Sequence, residues 1–370
     1  MKMITTAVAL EQASQEWLQA PVLALDTEFF WETSFYPVLG VVQVAADEKR
    51  CWLVDAVQIR DLSALGPVLA APHVTKILHD AVQDLGILKR ATGVAPVSIF
   101  DTRLAAGFAG LSSTCSLQSL LRDVLGVDLA KAETRSNWLR RPLSPAQLRY
   151  AADDVIHLPD VRTRLLARCA DDRVRTWLLE EQARLNDPAN YDERNPREMF
   201  RRVKGYARLQ ARPLAILREV AEWRELEARQ RDWPRGHVLA DDVLLELSCR
   251  APRDRMALNA IEGWSAKIPA ELGEAVLTAV ARGVSLPAAD CPTPAERSGP
   301  SAGRTLKAKT DALLEQVRKA CAPFQIDPAL VASRADLERC VQAAKPDHAL
   351  AKGWRAELMA TLVAQPKPGA

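Results

Sequence analysis

Four acids and a tyrosine stand out as candidates for catalysis or for holding a cation. Asp26 and Glu28 close an otherwise apolar run, VLALDTEFF. On a β-strand, residues i and i+2 point to one face, so these two carboxylates project together. Side by side they repel and raise each other's pKa unless a cation lies between them. Asp84 sits in ILHDAVQDLGIL, where a helix should begin just after a short strand. Tyr150 and Asp154 are four residues apart on a helical stretch, and therefore share a face that His157 continues. Asp153, the next residue round the helix, is rotated by about 100° and points elsewhere. Taken singly, each has a plain structural explanation: a solvated strand-end acid, an acid at a helix start, a tyrosine–carboxylate hydrogen bond in a core. Taken together they offer four hard oxygen ligands. That set suits a pair of Mg²⁺ or Mn²⁺ ions rather than zinc. Two such ions roughly 4 Å apart can activate water and stabilise a leaving oxygen in phosphodiester hydrolysis.

The segments that carry these groups alternate between strand-like and helical patterns. Val22–Asp26, Gly40–Ala46, Cys51–Asp55, Lys76–Leu78 and Val97–Phe100 read as strands. Asp61–Leu69, Ala81–Ala91, Thr102–Phe108 and Leu117–Leu125 carry helical spacing. Three successive strands followed by strand–helix alternation predict an α/β domain with a mixed sheet. Asp80 and Asp101 read as helix caps. Ser144-Pro145-Ala146-Gln147 is a capping-box sequence, and the helix it opens should run to about Arg168.

A polar break at Asn186–Pro196 marks the first boundary, and the chain beyond it is nearly all helical. Residues 197–235 hold 11 Lys or Arg against 6 acids. Residues 286–303, with four prolines among small residues, read as a linker. A faint repeat relates Leu247-Ser248-Cys249 and Gly263-Trp264 to Arg339-Cys340 and Gly353-Trp354, with offsets of 91 and 90 residues. The 370 residues suit two or three domains.

The net charge of +2 hides an uneven distribution. Residues 1–190 carry 20 basic and 23 acidic side chains, and residues 191–370 carry 29 and 24. A basic half joined to an acidic one hints at a polyanionic partner. No segment approaches the 18 or so apolar residues of a membrane span, and the N-terminus lacks a secretory pattern. Seven scattered cysteines without a C-x-x-C pair argue against a disulfide framework or structural zinc. A reducing cytoplasm is the expected location.

The succession LDTEF, HDAVQDL and KAETRSNWLRRPLSPAQLRYAADDV resembles the ribonuclease D group within the DEDD family of 3′–5′ exonucleases, in its tyrosine-bearing branch. The likeness spans residues 20–165. The C-terminal helical modules resemble helicase-and-ribonuclease-D C-terminal (HRDC) domains, with the clearer copy over 209–288.

This resemblance implies a ribonuclease-H-like exonuclease domain with a mixed sheet over residues 1–190. An HRDC domain over 197–288, a linker over 286–303 and a second, degenerate HRDC-like domain over 304–370 would follow. It carries over Asp26, Glu28, Asp84 and Asp154 as ligands of two Mg²⁺ or Mn²⁺ ions, with Tyr150 orienting the attacking water. The expected activity is 3′–5′ exoribonuclease hydrolysis releasing 5′-mononucleotides, with transfer RNA precursors as the family's substrate class. Phe29 would stack on the terminal base, and Trp138, Arg140 and Arg141 would line the nucleotide channel, with a packing anchor as the alternative for Trp138. Arg201, Arg202 and Lys204, in the basic stretch, would touch RNA phosphates. Position 157 departs from the family, which often has Tyr where this chain has His. A DNA exonuclease and a non-catalytic nucleic-acid-binding protein are the alternatives; retention of all four acids and Tyr150 argues against the second. No heptad run demands self-association, so a monomer is expected.

Overall fold

A computed structural model describes residues 1–129, 136–264, 270–294, 300–342 and 349–364. Part of the family-like stretch (130–135), part of the expected linker (295–299) and parts of both helical modules (265–269, 343–348, 365–370) lie outside the described residues. Among the described residues, no helix is long and apolar enough to cross a membrane.

The chain divides into two compact units. The first comprises residues 1–30, 39–192 and 298–370, and the second residues 31–38 and 193–297.

The first unit is built on a six-stranded sheet: β1 (Lys2–Ile4), β2 (Val22–Phe30), β3 (Val38–Ala45), β4 (Cys51–Asp55), β5 (Thr75–Leu78) and β6 (Ile99–Asp101). Their spatial order is β1-β4-β3-β2-β5-β6. β2 pairs with β5 in parallel, Leu23 opposite Lys76, and β5 with β6 in parallel. β3 runs antiparallel to β4, with Val42 opposite Val54. β1 joins β4 in parallel. The sheet is mixed, as strand clustering followed by strand–helix alternation requires.

Helices cover both faces: α1 (Ala7–Trp17), the short α2 (Gly66–Ala70), α3 (Val82–Thr92), α4 (Thr102–Phe108), α5 (Leu117–Leu125), α6 (Pro145–Ile156), α7 (Leu158–Arg168) and α8 (Asp172–Ala183). β2 shows why one strand serves two cores. Its Ala24 faces a cluster with Val41, Ala151 and Val155, whereas Leu23 and Leu25 face another with Val42, Trp17 and Leu85. The helix expected to run from Ser144 to Arg168 is two helices instead. Pro159 lacks an N–H and its ring clashes with the carbonyl four residues back, so one helix ends at Ile156 and the next starts at Leu158. β1 and α1 were not foreseen; three residues of strand and a polar-rich helix give little periodic signal.

The second unit contains α9 (Ala211–Arg231), α10 (Arg235–Val238), α11 (Asp241–Arg250), α12 (Arg255–Asn259) and α13 (Ala270–Ser285). Leu217, Val220, Leu244, Leu247 and Val280 form its core with Phe200. Gly283 lets α13 approach α9 closely, since a Cβ there would lie 2.5 Å from the Ile216 Cα. Residues 31–38 belong to this unit: the Phe35 N–H donates to the Asp232 carbonyl at 3.2 Å, and its ring meets the Arg235 guanidinium at 4.5 Å.

The chain then returns to the first unit as α14 (Pro300–Cys321), α15 (Pro328–Val331), α16 (Arg334–Gln342) and α17 (Gly353–Ala364). The succession repeats α9, α10, α11 and α13: a long helix, a single turn, a medium helix and a closing helix. Gly263 and Gly353, the repeat-related glycines, both adopt left-handed backbone (φ 80° and 53°). α14–α17 are bound tightly to α4 and α8. Trp354 is buried against Phe108 and Trp177, its indole N–H donates to Glu181 at 2.7 Å, and Arg355 pairs with the same carboxylate at 2.7 Å.

Candidate active site

The site forms where β2 runs under α6. Asp26 and Glu28 lie two residues apart on β2, and Asp154 is presented by α6. One carboxylate oxygen from each of the three lies within 4.8 Å of the others. Among the described residues this is the one group of three or more acids, histidines or cysteines with that geometry.

Two devices place α6. Its start is a complete capping box: the Gln147 N–H donates to the Ser144 hydroxyl (3.2 Å), and the Ser144 N–H to the Gln147 side chain (3.0 Å). Ahead of it, Arg141 forms a two-pronged ion pair with the fully buried Asp55 at the end of β4 (2.6 and 2.7 Å). The same guanidinium donates to the carbonyls of Gly40 and Trp138 (2.9 and 2.8 Å). Gly40 admits this segment because a Cβ would lie 2.5 Å from the Trp138 carbonyl oxygen. Arg141 is thus spent on holding the lead-in to α6 and is not free to line a nucleotide channel. Trp138 is a buried packing anchor whose ring lies 6.1 Å from that of Tyr150. Arg140 is exposed.

Asp84, in the first turn of α3, stands beside the trio and is not a member of it. The Thr27 hydroxyl, on the alternate face of β2, donates to its carboxylate. The strand residue between the two acids therefore ties in the fourth, a partnership that D-T-E does not announce. Asp101 caps α4, accepting from Arg103 N–H at 2.7 Å, and also accepts from Ala81 N–H at 2.8 Å, so it fixes the turn that leads into α3. Asp80, expected as a cap, instead takes a left-handed backbone (φ 63°) and pairs with Arg103.

Crowding leaves its mark on the acids. Burial, then the charges of Asp84, Asp154 and Glu28, push Asp26 well above the usual carboxylate range. Burial, with Asp154 and Asp84, pushes Glu28 up to about 8. Burial raises Asp154 to about 7, against the opposing effect of a hydrogen bond from Tyr150. Burial also raises Asp84 to about 6, and the Thr27 hydrogen bond works against it. Carboxylates gathered this closely, all resisting ionisation, form a donor set that fits a hard divalent cation. The Tyr150 phenol is raised far above its usual value by burial and by the charges of Asp154, Glu28 and Asp26.

Other expected residues fall differently. Strand alternation puts Phe30 on the face of Asp26 and Glu28, and Phe29 on the face of Thr27. Arg201, Arg202 and Lys204 are all exposed; Arg201 pairs with Glu198 at 2.7 Å and lies over the Phe200 ring. Much of the surrounding positive charge is consumed inside the second unit: Arg197 and Arg218 pair with buried Glu219, and Arg229 and Arg235 with buried Glu225. His157 meets Glu48 at 3.2 Å. His79 lies 2.9 Å from the Thr102 hydroxyl and 3.2 Å from the Cys115 carbonyl, a packing role.

The mixed sheet, its acid cluster and the helical second unit define a class: a 3′–5′ exonuclease domain joined to an HRDC domain. The chain matches the 3′–5′ exonuclease family model over residues 1–169 and the HRDC-domain model over residues 214–280. It is 39% identical to ribonuclease D of Desulfotalea psychrophila, covering 96% of either chain. It is 42% identical to ribonuclease D of Pseudomonas paraeruginosa over 77% of this chain and 75% of that one. The crystal structure of Escherichia coli RNase D superposes with a TM-score of 0.83 at 29% identity, covering 98% of this chain and 97% of that one. The chain belongs to the ribonuclease D family and is a 3′–5′ exoribonuclease.

Proposed function

We propose that the chain trims RNA 3′ ends one nucleotide at a time, releasing 5′-mononucleotides, with Asp26, Glu28, Asp84 and Asp154 holding two divalent cations. The observation that carries this reading is the convergence of Asp26, Glu28 and Asp154 within 4.8 Å. Bound there, Mg²⁺ or Mn²⁺ supplies charge neutralisation and a lowered water pKa. Tyr150 keeps its proton, because burial and nearby acids oppose its ionisation, and its hydroxyl donates to Asp154. It is suited to orienting the attacking water and not to removing its proton. Phe30 shares the acids' face, so we transfer to it the stacking role expected of Phe29. Arg202 and Lys204 remain the phosphate-contacting positions of the basic stretch, with Arg201 already paired.

We read the substrate as structured RNA, transfer RNA precursors in particular, acted on by a monomer. The Escherichia coli relative is described as an exoribonuclease involved in structured RNA processing, which supports that reading. Residues 304–370 are proposed as the second, degenerate HRDC-like module, on the strength of the repeated helix succession among the described residues.

A 5′-labelled RNA with a single-stranded 3′ overhang tests the reaction. With Mg²⁺ or Mn²⁺ the parent should give a ladder shortening from the 3′ end, and chelator should abolish it. Asp154→Asn and Asp26→Ala should each retain less than about a tenth of the rate while melting as folded proteins. Binding without shortening in either metal would reject catalysis.

A further inference from the structure

Gln43 is the polar residue of the sheet that the site does not explain. It lies in the middle of β3, opposite Leu53 of β4, and is completely buried. Its neighbours at i±2, Val41 and Ala45, pack into the cluster that also contains Ala24, Ala151 and Val155. Strand alternation therefore sets Gln43 on the face that carries the acids of β2. β3 lies between β2 and β4, and α6, which carries Tyr150 and Asp154, packs over both. Neither the amide oxygen nor the amide nitrogen of Gln43 has a protein hydrogen-bond partner. A buried amide in that condition destabilises the fold. Valine or methionine would fill the position without the penalty, and the residues on either side are apolar. The indole N–H of Trp138, whose ring lies against Tyr150, is likewise buried without a protein partner.

The acids on this sheet face are hydrogen-bond acceptors that an amide N–H or a bridging water can support. Asp26 stands on the adjoining strand and Asp154 on the covering helix. Buried polar groups that oppose stability are expected where they serve a site. We propose that Gln43 is a positioning residue of the active site. Its amide, through an internal water that the Trp138 N–H helps to hold, supports the Asp26–Asp154 carboxylates in the orientation that takes up a divalent cation. Such a water would have about three partners, the usual number for a buried one. The role rests on the reading of the acids as a metal site. It assigns to Gln43 the task that supporting hydrogen bonds perform around metal ligands generally.

The test uses the full chain and Gln43→Met, which keeps the volume and removes the amide, with Gln43→Leu alongside. Mn²⁺ uptake is read from the loss of the free-ion paramagnetic resonance signal, independently of activity. We expect the Mn²⁺ midpoint to rise by about 10-fold or more and kcat to fall by a similar factor, with KM for RNA unchanged. The metal-free melting temperature should be unchanged or higher. Parent-like Mn²⁺ uptake and kcat in both variants would make Gln43 a core filler and overturn the role. A lowered metal-free melting temperature, or failure of both to fold, would make the amide a structural group and overturn it equally. If the parent itself takes up no Mn²⁺, the metal-site reading falls, a result distinct from parent uptake that the variants match.

Discussion

At the scale of single residues, the site is a store of electrostatic strain. The folded-state pKa values of Asp26, Glu28, Asp84 and Asp154 all lie above their ordinary values, and burial is the first cause in each case. A group with a raised folded pKa contributes stability that is complete below its unfolded pKa and is lost as pH rises through the folded one. The metal-free protein should therefore lose stability between about pH 4 and pH 8, with Glu28 ionising after Asp84 and Asp154. Thermal melts of chelated protein across that range should show the decline, and Mg²⁺ or Mn²⁺ should stabilise more at pH 8 than at pH 5. The Glu28→Gln/Asp154→Asn double variant should flatten the profile; an unchanged slope would mean the acids are not its source. Tyr150 belongs to the same scale but acts differently. Removing its hydroxyl in Tyr150→Phe takes away a positioned donor and leaves every carboxylate, so kcat should fall by roughly 10²-fold with Mn²⁺ affinity kept. A variant at the parent rate would remove Tyr150 from the reaction.

At the scale of elements, the question is what sets α6 at its height over β2. The Ser144 capping box was legible because its four residues are contiguous and each has a fixed task. The acids were legible because D-x-E and Y-x-x-x-D are local spacings that name a strand face and a helix face. Arg141 was misplaced because its partner is 86 residues away, and nothing local separates an arginine awaiting phosphate from one clamped to a buried aspartate. Thr27 and Gln43 were missed for the same reason: their significance lies in what stands opposite them. Burial acts to raise the Asp55 pKa, yet hydrogen bonds from Arg141 and the Gln58 N–H hold it below the usual range. A depressed carboxylate stabilises above its unfolded pKa and loses that contribution as pH falls through the folded one. Arg141→Ala would leave the Asp55 charge buried and unpaired, at a cost of about 3–5 kcal/mol. A melting-temperature drop of about 10 °C should follow, and activity should fall because the lead-in to α6 is released. Arg141→Lys should fall between, since an ammonium cannot span both carboxylate oxygens as the planar fork does. If Arg141→Ala melts like the parent, the clamp is not what holds the helix.

At the scale of the whole molecule, the repeat in the helical half has two different fates. α9–α13 build a core of their own around Leu217, Leu244 and Val280. α14–α17 instead share one continuous core with the sheet unit, in which Trp354 and Leu358 lie with Phe108, Val161, Leu165 and Trp177. Sequence periodicity shows that a helix has an apolar face, but not which neighbour covers it, so two related modules read as equally independent. A chain ending at Arg297 should expose this common core. Each large apolar side chain returned to water costs about 1.5–3 kcal/mol, and several are uncovered together. Glu181 would also lose Arg355, leaving a buried carboxylate without its main partner. Together these losses rival the roughly 5–15 kcal/mol by which whole domains are stable. The truncated chain should therefore be insoluble or melt far below the parent, and any loss of nuclease activity would follow from unfolding, with no bearing on RNA contact. Glu181→Gln in the full chain gives the graded version: a lower melting temperature, with Mn²⁺ uptake at 25 °C unchanged. A truncated chain that stays soluble and melts with the parent would show that α14–α17 merely rest on the catalytic unit, and their role would then have to be sought in RNA binding.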